Sequence, residues 1–197
     1  MWHWLRGEDF EMADTEHLKS LSHQHVLAPE MRTAEKAWAV ALKLLHKAAM
    51  RLRAIGLWAG GIGLAVGFAP LPGESNAVST FGAPKRGWKD EIKLSECQDN
   101  ATLIGALKRL WESRPAGAEY DHPYFIGVHL DSLVPDRLHS LGLFDELDGE
   151  QSRAKLLAAM DALNNKYGMS TLAPAAMLTA FKAAPTRIAF HSIPDLF

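Results

Sequence analysis

Between Gly61 and Phe68 the chain alternates without a break. Ile62, Leu64, Val66 and Phe68 fall on one side, and Gly61, Gly63, Ala65 and Gly67 on the other. A period of two marks a strand with one buried face, and here the opposite face carries almost no side chains. Upstream, Ala37, Val40, Ala41, Leu44, Leu45, Ala48, Leu52 and Ile55 recur at helical spacing, which predicts an amphipathic helix from Thr33 to about Ile55. Thr33 suits the N-cap and Glu35 the positive end of the helix dipole. Gly56 is placed to end the helix. Arg32, Lys36, Lys43, Lys47 and Arg51 form a basic stripe on another face of it.

The remaining elements follow from the same two periods. Ser20 to Leu27 reads as a strand with Leu21, His23, His25 and Leu27 on one face and Ser20, Ser22, Gln24 and Val26 on the other. The first set is mixed, so the pattern does not decide which face is buried. Pro70 to Pro84 is rich in Gly, Pro, Ser and Asn and reads as a loop. Gly87 to Leu94 is a third strand. Asp99 or Asn100 caps a second helix, Ala101 to Ser113, whose apolar face is Leu103, Ile104, Leu107, Leu110 and Trp111. Tyr124 to Leu130 is a fourth strand, and Gln151 to Tyr167 a third amphipathic helix after an acidic loop. The order β-α-β-β-α-β predicts an α+β fold: a four-stranded, mostly antiparallel sheet with two helices on one face, plus a C-terminal helix and tail.

Composition changes this picture in one respect. A chain of 197 residues with 48% apolar residues supplies a real core. Its net charge of -2 gives no polyanion signal, but the charge is uneven. Residues 1–30 hold 2 basic and 6 acidic residues, whereas residues 19–109 hold 13 basic and 7 acidic. A basic middle between acidic ends fits a nucleic acid, or simply a solvated helix face. The single cysteine, Cys97, excludes an internal disulfide and a thiolate metal cluster and fits a reducing compartment. The N-terminal sequence lacks a signal-peptide pattern, and the apolar run from Ile55 to Pro72 is short and glycine-broken for a membrane span. The chain is therefore expected to be cytoplasmic, with no membrane partner.

Several apparent motifs fail on context. Gly61, Gly63 and Gly67 lie inside a strand that follows a helix, the reverse of a dinucleotide fingerprint. His23 and His25 share one strand face, but no third or fourth ligand stands near them in the sequence, so no metal site is expected. His129, Asp131 and Ser132 are close in sequence without a nucleophile elbow around them. The bare face of the Gly61–Phe68 strand suits either the close approach of a sugar–phosphate chain or the packing of another segment.

The stretch from Lys19 to Thr33 resembles the strand that enters the little-finger domain of Y-family translesion DNA polymerases, the ImpB/MucB/SamB group. Lys19, Ser20, Ser22, His25, Val26, Leu27, Pro29, Glu30, Arg32 and Thr33 stand at the matching places. The likeness continues through Lys93-Leu94, Gln98-Asp99, the Leu107–Trp111 helix, and Ile126 to Pro135. It extends to Met160–Gly168, which resembles the end of many such polymerases. Trp4-Leu5-Arg6-Gly7-Glu8-Asp9 resembles the end of their thumb domain. The resemblance divides the chain into a thumb remnant and linker (1–18), a little-finger-like DNA-binding domain (19–137), an acidic loop and C-terminal helix (138–168), and a tail (169–197).

What the resemblance implies is DNA holding without catalysis. The little finger lays its sheet along the duplex near the primer–template junction, independently of base sequence, during translesion synthesis in the DNA-damage (SOS) response. The matching candidates for DNA contact are Lys19, Ser20, Ser22, His23, Lys85, Arg86 and Lys89, with the Lys43, Lys47 and Arg51 stripe facing away. The palm carboxylates that hold Mg²⁺ for nucleotidyl transfer are absent; Asp145-Glu146 lacks their pattern. This chain alone is thus expected neither to polymerise DNA nor to carry a cofactor, although a parent DNA-directed DNA polymerase would use Mg²⁺. Leu141, Leu143 and Phe144 partly match the peptide that docks on the sliding clamp, without its leading Gln. The alternative reading is a stand-alone interaction module for the clamp or a repair partner, without autonomous DNA binding. The open sheet face should be electropositive under the first reading, and covered or acidic under the second.

Overall fold

The structure, a computed structural model, describes residues 18–68, 86–117, 120–139, 147–168, 171–173, 175 and 177. In chain order the elements are β1 (Ser20–Val26), α1 (Ala34–Ala54), β2 (Leu57–Phe68), β3 (Gly87–Cys97), α2 (Asn100–Ser113), β4 (Pro123–Pro135) and α3 (Leu147–Tyr167). The strands form one sheet in the order β1-β4-β2-β3, and all three pairings are antiparallel. The α+β layout expected from the sequence is the one observed.

Local chemistry sets the ends of the helices. The Thr33 hydroxyl accepts from the Lys36 amide at 3.4 Å, and the Asp99 carboxylate accepts from the Thr102 amide at 2.8 Å. Gly56 follows α1 with φ of 66°, a left-handed conformation that glycine adopts without steric cost. Both helices pack on the same side of the sheet. Ile62, Leu64, Val66 and Phe68 meet Ile126, Val128 and Leu130 from β4, Leu44, Leu45 and Leu52 from α1, and Leu103, Leu107 and Leu110 from α2. Truncating Leu52, Leu103, Leu107 or Leu110, all fully buried, to Ala would cost roughly 2–5 kcal/mol.

Two strands run further than the alternation suggested. β4 continues past Leu130 to Pro135, and β3 past Leu94 to Cys97. For β3 the reason is an irregularity at Gly60; β4 keeps an even register with β2 there, Ala59 facing Leu133 and Gly61 facing Asp131. Between Ala59 and Gly61 two steps on β2 face four on β3, so the alternation breaks although the pairing resumes. Ser132, opposite this point on β4, has a φ of 51°.

Helix α1 is buried on more than the predicted stripe. Ala39, Leu42, His46, Ala49 and Met50 are also buried. Part of the reason is α3, which lies against the C-terminal half of α1. Arg53 grips Asp161 with two hydrogen bonds of 2.6 and 2.8 Å, and its remaining nitrogen donates to the Gln98 carbonyl and to Asn100 Oδ1. One guanidinium therefore ties α1, the start of α2 and α3 together. Asn164, buried, exchanges two hydrogen bonds with the backbone of Leu172 and so folds the chain after α3 back onto it.

Two predictions follow from this packing. Arg53→Ala should cost roughly 2–3 kcal/mol, because Asp161 is left half-buried and unpaired. Amide hydrogen exchange should show α3 losing protection while the sheet keeps its own; an unaltered α3 would contradict the anchoring role. The second concerns Cys97, whose thiol is pushed up to about 12, first by burial and then by the charge of Asp99. It should resist alkylation at pH 8 until the chain is unfolded, and equal rates in native and denatured protein would refute its placement.

Candidate nucleic-acid interface

The face of the sheet turned away from α1 and α2 is built in four rows, because antiparallel partners project on the same side. Pairing across the strands gives Ser20–Asp131–Gly61–Lys93, Ser22–His129–Gly63–Glu91, Gln24–Gly127–Ala65–Lys89 and Val26–Phe125–Gly67–Gly87. The exposure pattern agrees: Ser20, Ser22, Gln24, Val26, Lys89, Glu91 and Lys93 are all exposed. Lys19, just before β1, is exposed as well. This resolves the ambiguity of the first strand. Leu21 is buried against the helices, and the serine face is the open one.

The glycines of β2 serve the open face rather than a turn. A Cβ on Gly63 would overlap the His129 ring, and one on Gly61 would overlap the Asp131 carboxylate. His129 and Asp131 therefore lean from β4 across β2 into the space that the glycines leave. Glu91 reaches the same place from β3. The His129 Nε2 atom lies 3.7 Å from Asp131 Oδ2 and 4.0 Å from Glu91 Oε2. Ser132 Oγ donates to Asp131 Oδ1 at 3.0 Å.

The predicted site residues divide. Lys19, Ser20, Ser22 and Lys89 stand on or beside the open face. His23 does not: it projects to the opposite side, where burial, with Lys47 and Arg51 adding, pushes its imidazole down to about 4. The period of two made this unavoidable once Leu21 went to the core. Arg86 is half-buried ahead of β3, and its carbonyl accepts from the Phe68 amide at 2.9 Å. Lys85, Leu141, Leu143 and Phe144 lie outside the described residues. Lys93, Glu91, His129 and Asp131 are the additions that sequence reading missed. His129 and Asp131 did carry a signal, being two apart on one strand. Glu91 had none until the strand order set β3 beside β2.

Among the described residues the face is open but not strongly basic. Lys89 and Lys93 are offset by Glu91 and Asp131, and the rest is hydroxyl, amide, the His129 imidazole and the apolar Val26 and Phe125, with Gly61 and Gly63 covered by Asp131 and His129. Lys47 and Arg51 lie on the other side, near His23. Among the described residues no helix is long and apolar enough to cross a membrane.

An antiparallel sheet with two helices on one side and an open, sparsely covered face on the other defines the class of domain. The profile of the impB/mucB/samB family C-terminal domain matches residues 18–143. The chain belongs to this family, the group of Y-family polymerases whose little finger the sequence resembles. No curated protein matches the chain by sequence. Among solved structures, the "Complex of beta-clamp processivity factor and little finger domain of PolIV" aligns at 16% identity over 64% of this chain and 99% of that chain, with a TM-score of 0.41.

The placement of His23 has a consequence in acid. Its folded pKa lies below the ordinary 6.5, so folded and unfolded chains are both neutral there above pH 6.5. Between pH 6.5 and about 4 the unfolded chain takes up a proton that the folded one refuses. Stability should therefore be full above this window and fall as pH drops through it, by up to about 3 kcal/mol. His46, also lowered by burial and by Arg53, acts in the same direction. Urea denaturation across this window should show the slope, and His23→Gln should reduce it. An unchanged slope in the variant would place His23 in solvent.

Proposed function

We propose that this chain is the non-catalytic DNA-holding region of a bacterial Y-family polymerase. In this reading the open sheet face lies along the sugar–phosphate backbone of primer–template DNA during lesion bypass. The observation that carries it is the open face itself, in a chain of this family. Its hydroxyls on β1 and ammonium groups on β3 flank a glycine stripe that is itself buried under the His129 and Asp131 side chains, so these donors, not bare backbone, would meet the phosphates. Lys19, Ser20, Ser22, Lys89 and Lys93 supply donors to phosphate oxygens. Sequence-independent contact of this kind suits an enzyme that must hold any template. The balanced charge of the face argues for modest affinity with few counterions released, not for a tight clamp.

The parent polymerase would bring its own palm carboxylates and Mg²⁺. The clamp-binding reading rests on Leu141, Leu143 and Phe144, outside the described residues; the near-balanced charge of the open face falls short of the electropositive surface expected for DNA holding, and a direct measurement of duplex binding decides between the two.

Fluorescence anisotropy of a labelled primer–template duplex across a salt series tests the proposal. Binding should weaken as salt rises. Lys89→Ala with Lys93→Ala should weaken it further and reduce the log–log salt slope by about 2, roughly 0.9 per lost phosphate contact. Wild-type protein that fails to bind at low salt, or a double variant with an unchanged slope, would overturn it.

A further inference from the structure

We propose that Glu91, His129 and Asp131 form a site for one divalent transition-metal ion, Zn²⁺ being the best fit, at the centre of the open sheet face. One imidazole nitrogen and two carboxylate oxygens converge there, each within 4.8 Å of the others. The 3.7 and 4.0 Å separations from His129 Nε2 are too long for hydrogen bonds. Two metal–ligand bonds of about 2.1 Å at a tetrahedral angle span about 3.4 Å between their outer atoms, so the side chains would close in by a few tenths of an ångström to hold an ion. The three groups therefore surround a common point at ion-pair rather than hydrogen-bond distance.

The cradle beneath them is specific to this arrangement. Glu91 and His129 belong to strands separated by β2, and so by about 9.6 Å of sheet. In an ordinary sheet the side chain between them would keep them apart. Gly63 stands at that place, and Gly61 under Asp131; a methyl at either would collide with the side chain above it. The Ser132 hydroxyl donates to Asp131 Oδ1, leaving Oδ2, the oxygen nearer His129, for the ion. Such second contacts orient a ligating carboxylate.

The donor set decides the class of ion. A mixed nitrogen and oxygen set favours Zn²⁺ over Mn²⁺, and both over Mg²⁺, which prefers oxygen ligands and retains its water. Three protein ligands leave coordination positions open above the sheet for water or another oxygen. A bound divalent ion would cancel the two carboxylate charges between Lys89 and Lys93. The site stands on these three residues and their glycine floor, and does not depend on DNA binding.

The test is isothermal titration calorimetry of ZnCl2 into the full chain at neutral pH, with Mg²⁺ in excess throughout. One site per chain is expected. His129→Ala and Glu91→Gln should each weaken it at least tenfold, since even outer-shell losses cost about 10–100-fold. His122→Ala, which removes an exposed histidine elsewhere, should leave it unchanged. All three changed residues are on the surface, and circular dichroism verifies that each variant is folded. Co²⁺ substitution gives a second readout: its visible absorption should appear with the wild type and vanish with His129→Ala. No binding, or binding that survives both His129→Ala and Glu91→Gln, would overturn the proposal; the latter would assign the ion to other histidines.

Discussion

Strand β2 has large apolar side chains on one face and almost none on the other, and both sides of the sheet depend on that asymmetry. Ile62, Leu64, Val66 and Phe68 are buried at the centre of the core, where α1 and α2 meet the sheet. Behind them, Gly61 and Gly63 leave a shallow floor onto which His129 and Asp131 fold. A side chain at either glycine would displace those residues and fill the open face. The strand thus positions the helices by what it carries and the surface by what it lacks. Being central in the order β1-β4-β2-β3, it is paired on both edges, which offsets the weakening that interior glycine brings.

The open face gathers small contributions from every strand. β1 gives hydroxyls, β3 gives lysines and a glutamate, and β4 gives an imidazole and a carboxylate. No single row is strongly basic, so attraction to a polyanion would be spread over several weak contacts. The rest of the positive charge around α1 is turned to the far side of the molecule. Arg53 shows how differently such charge is used there: part-buried against Asp161, it holds elements together.

Much of the fold was legible because period decides face. The alternation from Gly61 to Phe68 and the stripe from Ala37 to Leu52 each marked an element and its buried face, and Thr33, with Asp99 or Asn100, marked where the helices begin. β1 was ambiguous because His23 and His25 share their face with Leu21. Only pairing with β4 settled which side is buried, and with it the removal of His23 from the open surface. The extension of β3 was hidden by the irregularity at Gly60, where alternation fails while pairing continues, and that of β4 by Ser132, a left-handed residue that interrupts the alternation. Part of the extra burial of α1, at its C-terminal end, was hidden for another reason: Arg53 there meets Asp161 of α3, more than a hundred residues away in sequence, and the two read as ordinary surface charges. The cluster of Glu91, His129 and Asp131 was invisible for the same reason, since it depends on the order of strands and on an empty position between two of them.

The most direct test of the account is a map of amide ¹H–¹⁵N shift changes when a primer–template duplex is added to the full chain. If the open sheet face holds DNA, the largest changes fall on Ser20, Ser22, Gln24, Lys89, Glu91 and Lys93, and the α1 side stays quiet. Changes concentrated on Lys43, Lys47 and Arg51, with the glycine face unmoved, would contradict it.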